Sequence, residues 1–184
     1  SFGHCLAQFG PGSVGIDNVQ EHVDFCRALG LEAVRADLDD SLDAIPDGAF
    51  DFIWVADILE HLDAPRLLLR KLRSKLAPGG RLLVYLSALP RARLVQQALR
   101  RRSVRPFEAA THYYQFTDDS ARFLVERAGY RVTRVEAPGA ARLPALIRPL
   151  ARRQSPTLII EATPDPDAER LVFSAESKNK PDQG

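Results

Sequence analysis

The 184-residue chain has no methionine, a single tryptophan and only two cysteines. Because even a first methionine is missing, we expect the sequence to start inside a longer reading frame. The two cysteines, Cys5 and Cys26, fall in segments read as helix and lack the spacing of metal ligands, so they read as reduced core residues of a cytoplasmic protein. No apolar run approaches the roughly 20 residues that a membrane-spanning helix needs, and no signal peptide opens the chain. Lysine is scarce where base is plentiful. Of the 20 basic residues in 65–153, only Lys71 and Lys75 are lysine.

What is present is ordinary for a globular protein: 45% hydrophobic and 27% charged residues, in a length that suits one domain with a sizeable core. The net charge of +1 hides an asymmetry. Residues 1–64 carry 13 acids against two Arg, residues 65–153 carry 20 bases against five acids, and residues 154–184 carry six acids against three bases. The basic middle section suits an anionic partner, or else decorates solvent-facing helices with Arg.

The pattern along the chain alternates strand and helix. "SFGHCLAQFG" reads as helix and stops at Gly10-Pro11-Gly12. "VGID" reads as a short strand, and Val19, Val23, Cys26 and Leu29 then recur at helical spacing before Gly30. "LEAVRAD" is a second strand, and "DFIWVAD" is a third, expected to be buried on both faces. Next comes an amphipathic helix, with Asp63 as its expected N-cap, Pro65 in its first turn and Gly79-Gly80 closing it. "RLLVYLSA" is a strand, 91–103 an Arg-rich helix and "HYYQF" an aromatic loop. "TDDSARFLVERAG" is a helix capped by Thr117 or Asp118, and "YRVTRVEA" and "TLIIEAT" are closing strands. Residues 165–184 are polar without periodicity, and a disordered tail is expected after a domain spanning 1–164.

Such alternation implies an α/β fold with a mostly parallel sheet, in which ligands bind at the carboxyl ends of the strands. Three strands in succession end on an acid: Asp17, Asp37 and Asp57. Any one of them could be a helix cap. Three along one sheet edge form a polar rim that suits a ligand.

"VGID", "VRADLDD", "AFDFIWVADILEHL" and "LAPGGRLLV" stand in the order and spacing of class I S-adenosylmethionine (SAM) dependent methyltransferases, which this chain resembles. The finer, looser likeness is to members acting on small molecules, including the methionine-biosynthesis type. The resemblance implies a Rossmann-like sheet of order 3-2-1-4-5-7-6 with its last strand antiparallel, SAM as cofactor, and a small-molecule acceptor rather than nucleic acid. It also implies a role for each matching position. Asp17 would accept from both ribose hydroxyls, a bidentate task that suits a carboxylate. Asn18 would sit beside the adenosine. Asp37 would accept from the adenine amino group, with the Leu38 backbone N–H on a ring nitrogen. Ala56 and Asp57 would floor the methionine end, and Gly3 would belong to the start of the helix that follows the glycine-rich turn. That turn and its strand are absent ahead of Ser1, so we expect them to be encoded upstream, since the sheet implied by this resemblance needs a central strand.

For an acceptor that starts protonated, His61 in "LEHL" and His112 in the aromatic loop are the candidate bases, against a packing role for each. Asp39, Asp40 and Asp43 have no supporting His or Cys, so they read as loop and cap residues, and no metal site is expected. Ten Arg (91, 93, 100, 101, 102, 105, 142, 148, 152 and 153) suggest a basic rim for an anionic or lipid-like acceptor, with peripheral membrane contact. A non-catalytic binding or scaffold protein on the same fold is the alternative. A nicotinamide-dependent oxidoreductase is a weaker one, for no Tyr-x-x-x-Lys is present.

Overall fold

A computed structural model describes residues 10–43, 45–89, 112–138 and 156–168. The expected helices over 1–10 and 91–103, with Gly3 and Cys5, lie wholly or nearly so outside these residues, and so do all ten Arg of the expected rim. Contacts divide the chain into two compact units, Ser1–Ala44 and Ile45–Gly184.

In the first unit, β1 (Val14–Asp17) pairs in parallel with β2 (Glu32–Arg35), and α1 (Gln20–Ala28) connects them. The helical spacing buries Val23 and Cys26, and Ala33 of β2 completes a small core with them. Cys26 is a free thiol. At the helix end Gly30, with φ +75°, takes the left-handed turn that lets its N–H and that of Leu31 bond back to Arg27 and Cys26 carbonyls.

The second unit holds β3 (Phe50–Ala56), a short 3₁₀ turn (Leu59–His61), α2 (Pro65–Lys75), β4 (Leu76–Ser87), α3 (Asp118–Arg127), β5 (Tyr130–Glu136) and β6 (Thr157–Pro164). The strands form one sheet in the order β3-β4-β6-β5. β3 and β4 run parallel, and β6 lies antiparallel to both of its neighbours. Alternation puts Leu82, Val84 and Leu86 on one face of β4, opposite Ala162, Ile160 and Leu158 of β6, and all six are buried. Leu68, Leu69 and Leu72 supply the apolar stripe of α2. The Tyr130 hydroxyl donates to the Leu69 carbonyl at 2.9 Å, tying β5 to that helix, and Thr117 and Ser120 form a reciprocal capping box at the start of α3.

Three expectations change. The N-cap of α2 is Ala64, not Asp63, and Pro65 needs little capping because its missing N–H is one the helix could not have satisfied. Gly79 and Gly80 do not close the helix: α2 ends at Lys75 and the chain passes straight into β4. Phe50 pairs with Leu76 but Phe52 with Arg81, so residues 77–80 bulge out of register, which uses the positive φ of Gly79. β3 is not buried on both faces. Val55 is buried but Phe52 is exposed, for β3 is an edge strand among the described residues. Just after β6 the Asp165 N–H donates to the Gly129 carbonyl, and its carboxylate pairs with Arg131 at 3.1 Å. Residues 169–184 lie outside the described residues. Among the described residues no helix is long and apolar enough to cross a membrane.

Candidate functional site

In the first unit the candidate residues stand at the strand ends. Asp17 closes β1, and α1 starts three residues later with Val19 as N-cap and no capping side chain of its own. Asp17 supplies what is missing. One carboxylate oxygen accepts from the Val19 N–H at 2.8 Å, and the other lies 3.1 Å from Nδ1 of His22. A carboxylate has about four acceptor positions, so two remain. The Asp17 side chain keeps 20% of its surface open. Burial first, and then the Asp17 charge, push the Cys26 thiol above its ordinary pKa, which keeps it an inert core residue. Asn18 is exposed, and its carbonyl accepts from Arg35. Beyond β2, the Asp37 carboxylate accepts from the Asp39 N–H at 3.0 Å and its carbonyl from Asp40, a tight turn that leaves Asp37 exposed and Leu38 half-buried.

In the second unit the candidate residues stand at and beyond the carboxyl end of β3. Ala56 is half-buried there. Asp57 follows with φ 47°, the one described residue other than glycine in the left-handed region, where Asp is tolerated at some cost. Its N–H donates to the Tyr85 carbonyl at 2.9 Å, and Ser87 Oγ lies 3.4 Å from its carboxylate. The turn is thus locked to β4, and the chain is delivered sharply into Leu59–His61.

There the aromatic loop is pinned down. The N–H groups of Tyr113 and Tyr114 donate to the Glu60 carbonyl at 2.8 and 3.3 Å, and the Tyr114 hydroxyl donates to the Asp63 carbonyl at 2.9 Å. These bonds bring His112 against His61 across 51 residues of sequence, with ring centroids 4.6 Å apart and planes at 78°. Both histidines remain partly exposed. Tyr113 and Tyr114 are exposed, whereas Phe116 is buried as ordinary core.

The sequence does not single out Glu60, yet it is the unusual residue here. It is 2% exposed, and neither carboxylate oxygen has a hydrogen-bond partner among the described residues. Its only sequence signal is an acid enclosed by leucines in "LEHL". One ligand atom each from Glu60, His61 and His112 lie within 4.8 Å of one another. A groove of about 530 Å³ beside Arg70, Arg73, Ala77 and Pro164 lies at the opposite end of β4 and contains none of these groups.

Comparison with known proteins identifies the scaffold. No curated protein matches the chain. Among solved structures, it is similar to a SAM-dependent methyltransferase from Mesorhizobium loti, at 18% identity and a TM-score of 0.58, covering 81% of this chain and 78% of that one. It is also similar to a SAM-dependent methyltransferase from Archaeoglobus fulgidus, at 19% identity and a TM-score of 0.55, covering 82% and 75%. The [4+2]-cyclase SpnF has the same fold, at 16% identity and a TM-score of 0.59, covering 83% and 66%. These likenesses give the fold as Rossmann-like, of the class I methyltransferase type. Residues 5–135, well over half of the sequence, match the family described as Methyltransferase domain, and the chain belongs to that family.

Proposed function

We propose that this chain transfers a methyl group from SAM to a small-molecule acceptor. The observation that carries the reading is Asp17: a partly open carboxylate at the end of β1, with two acceptor positions still available after it has started α1. That fits the paired hydroxyls of a ribose. In this reading Asn18 lies beside the adenosine, Asp37 and the Leu38 N–H take the adenine edge, and Ala56 and Asp57 floor the methionine end. Gly3, also a cofactor-side residue in this reading, lies outside the described residues.

When bound, SAM supplies an electrophilic methyl group whose driving force is stored in its sulfonium. The work left to the chain is to bind, orient and exclude water, and holding two reactants in line can contribute about 7–11 kcal/mol. His61 and His112 serve as the base where the acceptor starts protonated. Tyr113 and Tyr114, exposed beside them, offer aromatic faces to an acceptor. The Arg-rich segments of the sequence favour an anionic or lipid-like one.

The test is calorimetric titration with SAM and with S-adenosylhomocysteine, followed by mass-shift screening of small oxygen, nitrogen and sulfur acceptors. Saturable binding of both and a 1:1 gain of methyl on one acceptor class are expected. Because a cyclase shares this fold, SAM binding without methyl gain on any acceptor would favour the non-catalytic alternative, and absence of binding would remove the SAM reading.

A further inference from the structure

An ionised carboxylate moved out of water costs several kcal/mol unless a partner replaces the lost hydration. Glu60 has been moved out of water almost entirely and has no such partner among the described residues. The chain nevertheless builds structure around it. Its backbone carbonyl anchors the aromatic loop, and that anchoring sets a second imidazole, His112, next to the one adjacent in sequence, His61. Two imidazoles and a carboxylate are an N₂O ligand set, the kind that suits divalent first-row transition ions more than Mg²⁺ or Ca²⁺, which favour oxygen ligands.

The geometry points to a divalent transition-ion site formed by Glu60, His61 and His112, a site that the sequence pattern does not lead one to expect. The ligand atoms already lie within 4.8 Å of one another. Around an ion with bonds of about 2.0–2.2 Å, tetrahedral ligands sit roughly 3.3–3.6 Å apart. Side-chain rotation of the two partly exposed imidazoles covers the remaining ångström, while the buried carboxylate stays fixed. The ion would supply the charge that Glu60 lacks. Three protein ligands leave a coordination position open, as in catalytic rather than closed structural sites. That position would take an acceptor oxygen and make its proton acidic enough to pass to solvent, so the imidazoles would act as ligands in place of serving as the base. This last consequence rests on the methyl-transfer reading; the ion site itself does not.

The experiment uses the full chain stripped with chelator, titrated separately with Zn²⁺, Mn²⁺ and Mg²⁺ by calorimetry and thermal shift. SAM is titrated in parallel. One Zn²⁺ or Mn²⁺ per chain is expected, with a rise in melting temperature and weaker binding of Mg²⁺. Glu60→Gln, which keeps the shape, and His112→Gln should each weaken the ion by about tenfold or more, at least the scale seen for outer-shell partners. His22→Gln, at an imidazole of the first unit, should not. In the unaltered protein, ¹⁵N-histidine spectra with Zn²⁺ should shift two imidazoles, and these should be 61 and 112. Failure to bind any of the ions, binding unaffected by Glu60→Gln, or shifts at other histidines would overturn the site. SAM binding that persists while ion binding fails removes the ion and leaves the methyl-transfer reading standing.

Discussion

Replacing Asp17 separates two tasks that one carboxylate would perform. Its first oxygen accepts from the Val19 N–H at 2.8 Å, and α1 has no other side-chain cap at that end. Asp17→Ala therefore removes the one side chain that, among the described residues, satisfies the start of α1, at a cost of about 1 kcal/mol. The second oxygen meets His22 at 3.1 Å, but that imidazole is 57% exposed, so the contact adds little. For a chain of this length such a loss lowers the melting temperature by about 2–4 °C. Folding is therefore not indifferent to Asp17→Ala, contrary to what a pure ligand role implies.

Asp17→Asn is the more informative change. The amide keeps an oxygen for the Val19 N–H, so the helix start and the melting temperature should hold. What goes is the charge and one of the two acceptor oxygens. Charged hydrogen bonds are worth about 1.5–3 kcal/mol each, and the ribose would lose one outright and find the other weakened. The expected loss is about 2–4 kcal/mol, or roughly 30- to 700-fold in the dissociation constant for SAM. Calorimetry on the parent, Asp17→Asn and Asp17→Ala proteins reads it directly. Should Asp17→Asn bind SAM as tightly as the parent, Asp17 would be a helix start and nothing more, and the ribose assignment would be refuted.

Other outcomes follow from the packing. Gly80→Ala would set a methyl group 2.9 Å from the Ala77 carbonyl oxygen and 3.0 Å from that of Phe50, so urea denaturation should show a loss of about 1–3 kcal/mol. Tyr130→Phe deletes the buried bond to Leu69 and should cost about 0.5–1.5 kcal/mol. Desolvation, which outweighs nearby Arg73, also raises the Tyr130 hydroxyl well above its ordinary pKa of 10.0. Its contribution is full below that ordinary value and fades as pH rises toward the folded one, so Tyr130→Phe should lose stability less steeply in alkali. The Asp47 carboxyl is held below its ordinary 3.8 by its hydrogen bond from Lys75 and then by Ser74. That contribution is full above the ordinary value and lost as pH falls through the depressed one, so an acid titration of Asp47→Asn should be flatter there.

The elements legible in the sequence are those whose signal is local. Short apolar runs marked β4 and β6, helical spacing with Gly30 marked α1, and the cap pair Thr117-Asp118 marked the start of α3. Boundaries set by neighbours were not legible. "LAPGG" reads as a helix stop with a loop, yet pairing of Leu76 with Phe50 draws it into β4 as a bulge. The partners of Asp165, Arg131 and the Gly129 carbonyl, are likewise distant in sequence and leave no local signal. Among the candidate residues, Asp17, Asp37 and Asp57 were each visible as an acid on a strand end. The meeting of His61 with His112 was not, since it depends on a backbone carbonyl receiving two N–H groups from a loop fifty residues on.

The same stretch of chain holds two features that folding alone disfavours. Asp57 occupies a left-handed backbone conformation, and three residues later Glu60 is buried without a hydrogen-bond partner among the described residues. Left-handed backbone at a residue other than glycine costs of order 1–3 kcal/mol, and an unpartnered buried carboxylate costs more. Gly in place of Asp57, or Leu in place of Glu60, would relieve both without disturbing the sheet register. A sequence shaped for stability alone would have such residues here. That these two disfavoured residues fall together, directly after the strand whose carboxyl end should face ligand in this fold class, is what supports reading the segment 57–61 as a site rather than a turn. The two costs also make a joint prediction. Without added ion, Asp57→Gly and Glu60→Leu should each leave the protein as stable as the parent or more so, while SAM binding falls in the first and ion binding in the second. If either substitution instead destabilised the ion-free chain by more than about 2 kcal/mol, within the range of ordinary core damage, that residue would be structural and its assignment here would fail.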